Sequence, residues 1–137
     1  MKGKRDIPAH QRGGAIAEFA VVVPLLVAFL FAIVEFGLAF YAKGLLTNAG
    51  REGARFGVVY TTPRKTAAEI QAKVNEYLTK SGFTETAGIT VSGAGGDTGS
   101  PLTVIVSYPY SFQVLPPFVQ GLVGTVNLTA ETVMRME

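Results

Sequence analysis

A run of 24 residues, 19–42, is apolar except for Pro24, Glu35 and Gly37. A hydrophobic helix needs roughly 20 such residues to cross a bilayer, so this run commits part of the chain to a membrane-spanning helix. Within 137 residues that leaves room for one small extramembrane module, and no enzyme is expected at this size. Residues 1–14 carry Lys2, Lys4, Arg5 and Arg12 against Asp6. Short flanks rich in Lys and Arg stay on the cytoplasmic side, which orients the amino terminus inside and the carboxyl terminus outside. Lys43, Arg51 and Arg55 on the far side oppose that bias only in part. A secretory signal peptide has an apolar stretch of about 7 to 15 residues followed by a small-x-small cleavage site. The present run is longer, and its outer end continues as a helix.

Residues 1–14 contain Pro8, three glycines and unperiodic charge, the composition of a flexible leader. From Ala15 the helical pattern is continuous. Pro24 is tolerated because membrane helices bend around a freed carbonyl, and a kink is expected there. Beyond Lys43 the pattern turns amphipathic, with Leu45, Ala49, Gly53 and Phe56 on one stripe and Lys43, Thr47, Arg51 and Arg55 on another. Ala49, Gly53 and Gly57 form a small-x-x-x-small ladder that lets helix backbones approach closely. The simplest object is one long helix over 14–58, transmembrane in 19–42, after a leader over 1–13.

Residues 60–64 form a break. Ala67, Ile70, Val74, Tyr77 and Leu78 then recur at helical spacing, with Gly82 at the stop. Glu69, Lys73, Glu76 and Lys80 read as a solvated face held by weak pairs of ~0.2 to 0.5 kcal/mol. The last third changes period. Residues 89–91 are a short strand, residues 93–100 a glycine-rich connection, and Leu102, Val104, Val106 and Tyr108 alternate with Thr103, Ile105 and Ser107. Pro109, Pro116 and Pro117 interrupt regular structure before a final strand over 125–137. The fold class is therefore α+β. A long amino-terminal helix precedes a module over 59–137 that packs one helix on a three-stranded antiparallel sheet. Without cysteine the module must hold by packing alone.

Two acidic residues stand in or beside the membrane run, and such residues are functional suspects by default. Glu35 lies deep in the outer half, or reaches the outer interface if the helix tilts or shifts. Glu18 lies at the inner edge. If the leader is cut after Gly13, Gly14 becomes a charged amino terminus and Glu18 the fifth residue of the mature chain. An amine and a carboxylate on neighbouring helices then neutralise one another and set the axial register. A cut after Gly14 would instead make Glu18 the fourth residue.

Gly13, four residues on to Glu18-Phe19, and then a long apolar helix resemble the prepilin-peptidase site of type IV pilin-like proteins. More narrowly, GGAIAEFAVVVPLL at 13–26, IVEFGLAFYAKGLLTNAGREGARFG at 33–57 and the closing MRME at 134–137 resemble the TadE-like proteins of the tight-adherence pilus system. The likeness is close over the first 57 residues and loose over the sheet. It implies a minor pilin or pseudopilin of the bacterial cytoplasmic membrane, cut by a prepilin peptidase and used in pilus assembly and surface adhesion. Gly13 and Gly14 then mark the cleavage site, and Glu18 with Phe19 the assembly register. Pro24, Glu35, Ala49, Arg51, Glu52, Gly53, Arg55 and Gly57 are candidates for helix–helix contact with other pilins or with the inner-membrane assembly platform. For Arg51, Glu52 and Arg55 the alternative is a solvated helix end with a local ion pair.

No catalytic set, cofactor, metal site or nucleic-acid partner is expected. Residues 93–99 lack the G-x-G-x-x-G spacing and no Lys-Ser/Thr follows. His10 is the only histidine and lies in the leader, leaving imidazole chemistry without a partner. The aromatic and proline stretch 108–118 is read as core and loop rather than as a binding surface. A single-pass anchor whose outer module binds a partner without entering a fibre is the competing reading.

Overall fold

The computed structural model describes residues 9–84, 86–117, 120, 121 and 124–137, with side chains from Gly13 onward. Helix α1 runs unbroken from Ala9 to Val58, 50 residues and about 75 Å, with Pro24 inside it. It begins six residues before the Ala15 read from the pattern, so His10, placed by sequence in a flexible leader, belongs to the helix. Ala9, Gln11 and Arg12 are good helix formers, and the Gly13-Gly14 pair costs only about 1 kcal/mol per residue against alanine. The rest of the leader, 1–8, lies outside the described residues.

A break containing a cis Thr62–Pro63 peptide leads to α2, Ala67–Lys80. Thr66 caps α2. Its hydroxyl accepts from the Glu69 N–H, while the Glu69 carboxylate accepts from the Thr66 N–H at 2.8 Å. This reciprocal box satisfies two of the donors that every helix start leaves open. Lys73 and Lys80 both pair with Glu76, as the charge ladder predicts, but Glu69 belongs to the cap instead. Ser81 and Gly82, the latter at φ 88°, close the helix.

Three strands follow: β1 Gly88–Ser92, β2 Pro101–Ser111 and β3 Thr125–Arg135. They form an antiparallel sheet in the order β1-β2-β3. Gly93, Gly95 and Gly99 take positive φ in the β1–β2 connection. At Gly93 no side chain is possible, because a Cβ would lie 2.2 Å from the Pro101 carbonyl oxygen. β2 runs further than its proline suggests, with Pro109 registered opposite Asn127. β1 ends its pairing at Ser107, so Pro109 lies where the β1 side of the strand has no ladder to break.

The outer half of α1 and all of α2 pack on one sheet face. Leu46, Ala49, Ala54 and Val58 from α1 meet Ile70, Val74 and Leu78 from α2 and Leu102, Val104 and Val106 from β2. Each fully buried branched side chain contributes about 1.5 to 3 kcal/mol. The opposite face carries Thr90, Thr103, Ser107, Thr129 and Glu131, the polar-out half of the alternation. The carboxyl end is tied back to α1: the Glu137 N–H donates to the Val58 carbonyl at 3.0 Å. This fills one of the acceptors that a helix end leaves open.

Candidate membrane and assembly interface

Helix α1 has two halves with different surroundings. From Gly13 to Val34 none of its residues is buried. Ile16, Phe19, Val21, Leu25 and Phe29 are all exposed, so an apolar rod stands clear of the module. Among the described residues this is the one helix long and apolar enough to span a membrane, and almost none of its apolar window is buried inside the protein. Gly13 and Gly14 have open space around them. Glu18 and Phe19 are exposed on the same rod, and Pro24 is exposed without interrupting it.

The second half begins at Glu35, which is 2% exposed. Its carboxylate is the acceptor for four donors. The Tyr110 hydroxyl donates at 2.9 Å and the Gln113 N–H at 3.0 Å to Oε1; the N–H groups of Val114 and Leu115 donate at 2.6 and 3.1 Å to Oε2. One side chain thereby fastens the end of β2 and the following loop onto α1. Burial, then the hydrogen bond to Glu35 and its charge, push the Tyr110 hydroxyl up to about 12. The phenol therefore stays a donor throughout the neutral range. Glu35 thus faces its own chain's loop, not another helix as proposed from sequence, and the four hydrogen bonds it accepts there offset the cost of burying an acid in an apolar run. A lone acid in such a run is a visible signal. Three of its four partners are backbone groups, which leave no trace in the sequence.

Around Glu35 the helix carries an aromatic collar. Phe36, Phe40 and Tyr41 are exposed, and recesses of about 240 and 450 Å³ open on either side of α1 beside Tyr110. Phe36, Phe40, Phe112 and Val126 line the larger one. Aromatic side chains concentrate where a membrane meets water. Lys43 ends the collar, its ammonium donating to the Thr129 carbonyl oxygen.

Further along, the small-residue ladder is used inside the chain. A Cβ at Gly53 would lie 2.3 Å from Val74 Cγ2, and one at Gly57 would lie 2.5 Å from Ile70 Cδ1 and 2.7 Å from Leu102 Cδ2. The helix these glycines admit is α2, and Ala49 and Ala54 are fully buried in the same core. Ala49, Gly53 and Gly57 are therefore closed to another subunit. Arg55, largely in solvent, forks onto the half-buried Glu52 at 3.0 Å, the local ion pair allowed for above, and Arg51 is exposed beside them. Such a pair is worth about 0 to 1 kcal/mol.

Residues 13–55 match the family model described as TadE-like protein. This segment is TadE-like. The match spans the exposed rod, the Glu35 collar and the Arg51–Arg55 turn, and stops short of the sheet. Comparison with curated proteins and with solved structures gave no match. The matched segment covers most of the helix that, among the described residues, is long and apolar enough to span a membrane.

Proposed function

We propose that this chain is a minor pilin or pseudopilin of a tight-adherence pilus. It is inserted in the cytoplasmic membrane with its amino terminus inside, cut after Gly13 by a prepilin peptidase, and packed against other pilins through α1 during assembly. Its role in adhesion is structural rather than enzymatic. The observation that supports this reading most is the bare rod from Gly13 to Val34. It combines exposed apolar side chains, an accessible Gly13-Gly14 junction and an exposed Glu18 five residues into the processed chain. Such a surface suits lipid before assembly and other helices afterwards. Glu18 then pairs with the new amino group of a neighbour, which fixes the axial register. Since Ala49, Gly53 and Gly57 are closed, contact between subunits falls to the rod, with Arg51, Glu52 and Arg55 the charged group left facing outward.

Mass spectrometry of the surface-assembled protein tests this. A mature terminus at Gly14 is expected; an intact leader in assembled material would remove the proposal and leave the anchored, fibre-free module. In processed protein, Glu18→Ala should permit cleavage yet lower incorporation.

A further inference from the structure

The loop that Glu35 holds lies at a depth fixed by α1. At about 1.5 Å per residue, Gly14 to Glu35 spans about 32 Å and Glu18 to Glu35 about 26 Å, against a hydrocarbon core of about 30 Å. Whichever inner residue marks the cytoplasmic boundary, Glu35 falls within a few ångströms of the outer one. The loop shares that level, because three of its successive N–H groups bind the Glu35 carboxylate.

We propose that residues 112–117 form a second membrane contact that rests in the outer headgroup layer beside the α1 span. Three features carry this beyond depth. Phe112, Val114, Leu115, Pro116 and Pro117 are apolar, and no charged residue occurs between Asp97 and Glu131. The backbone is prepared for a poorly hydrated place: prolines at 116 and 117 have no N–H, and the N–H groups of 113, 114 and 115 are all bonded. Lipid offers no partner for an open backbone donor. The loop also continues the aromatic collar, with Phe112 edge-on to Tyr110 at 5.8 Å between ring centres and lining the same recess as Phe36 and Phe40. The occupant is thus the lipid surface that already surrounds α1. The contact needs only an inserted chain and does not depend on pilus assembly.

The chain has no tryptophan, so one introduced indole reports one position. Phe112→Trp, Pro117→Trp, Val133→Trp and Phe29→Trp are each reconstituted as full chain in phosphatidylcholine vesicles. The vesicles contain lipid brominated either near the headgroup end or near the methyl end of the acyl chain. Tryptophan at 112 and at 117 should have its emission roughly halved by the shallow bromine and be quenched less by the deep one. Position 133, on the outward sheet face and 57% exposed, should be unaffected. Position 29 should respond most to the deep label. Emission at 112 and 117 as insensitive as at 133 would overturn the proposal, and an unquenched position 29 would remove its membrane premise. Pro117 is exposed and makes no side-chain bond, so this variant keeps the test open should Phe112→Trp not fold.

Discussion

Replacing Glu35 should loosen the module from its helix while leaving the helix itself intact. The carboxylate accepts from one hydroxyl and three backbone N–H groups. A hydrogen bond to a charged acceptor is worth about 1.5 to 3 kcal/mol, and a buried donor left without a partner costs about 1 to 3 kcal/mol. Gln113 is exposed and Val114 and Leu115 only half-buried, so water recovers part of the loss at those three. Tyr110 is 5% exposed and recovers little. Glu35→Ala should therefore cost about 3 to 5 kcal/mol. Glu35→Gln keeps one oxygen but turns an NH₂ group toward donors, and should cost about 2 to 4 kcal/mol. Denaturant unfolding of the full chain in detergent measures the loss. Hydrogen exchange at 113–115 locates it: these amides should lose protection in both variants, while those of α1 below residue 30 keep theirs. Losses under about 1 kcal/mol with unchanged exchange at 113–115 would refute the latch.

Other changes test the packing and the cap. Gly53→Ala places a methyl group against the stiff Val74 side chain and should cost about 1 to 3 kcal/mol in denaturant unfolding, whereas Gly44→Ala, with open space around it, should not destabilise the chain. Thr66→Ala removes the α2 cap and should cost about 1 kcal/mol by the same measurement. The Thr66 backbone N–H, followed by its hydroxyl and the nearby Lys65, holds the Glu69 carboxyl below its ordinary value. A carboxyl lowered in the folded state stabilises it above the unfolded value, and that contribution fades as pH falls through the folded one. The stability gap between the native chain and Glu69→Gln should therefore be constant at neutral pH and narrow in acid.

Much of the fold is legible because each element repeats a simple period. The alternation at Leu102, Val104 and Val106 survives as the buried face of β2, and three of the four glycines in 93–99 fall where positive φ is needed. The capping box was also readable, since Thr66-x-x-Glu69 ahead of an apolar stripe is its signature. It was masked by the regular charge spacing that places Glu69 in a ladder with Lys73, Glu76 and Lys80. The small-residue ladder shows the opposite limit. Sequence tells that a backbone comes close to Gly53 and Gly57, but not whether it belongs to the same chain, because an internal α2 and a neighbouring pilin make the same demand on side-chain size. Glu35 is harder still. Besides the Tyr110 hydroxyl, its partners are three amides in an irregular loop some 80 residues away, and amides look alike whatever side chains they bear.

The unbroken α1 also makes rotational phase a property of the chain. Each helical residue turns the axis by about 100°, so the 17 steps from Glu18 to Glu35 leave the module pointing about 260° around from the Glu18 side chain. A rod of this kind behaves as a keyed shaft: whatever grips it at Glu18 has already chosen the compass bearing of the sheet, its polar face and the collar. In the proposed fibre, subunits stacked by one axial rule would therefore present their modules at one fixed succession of bearings.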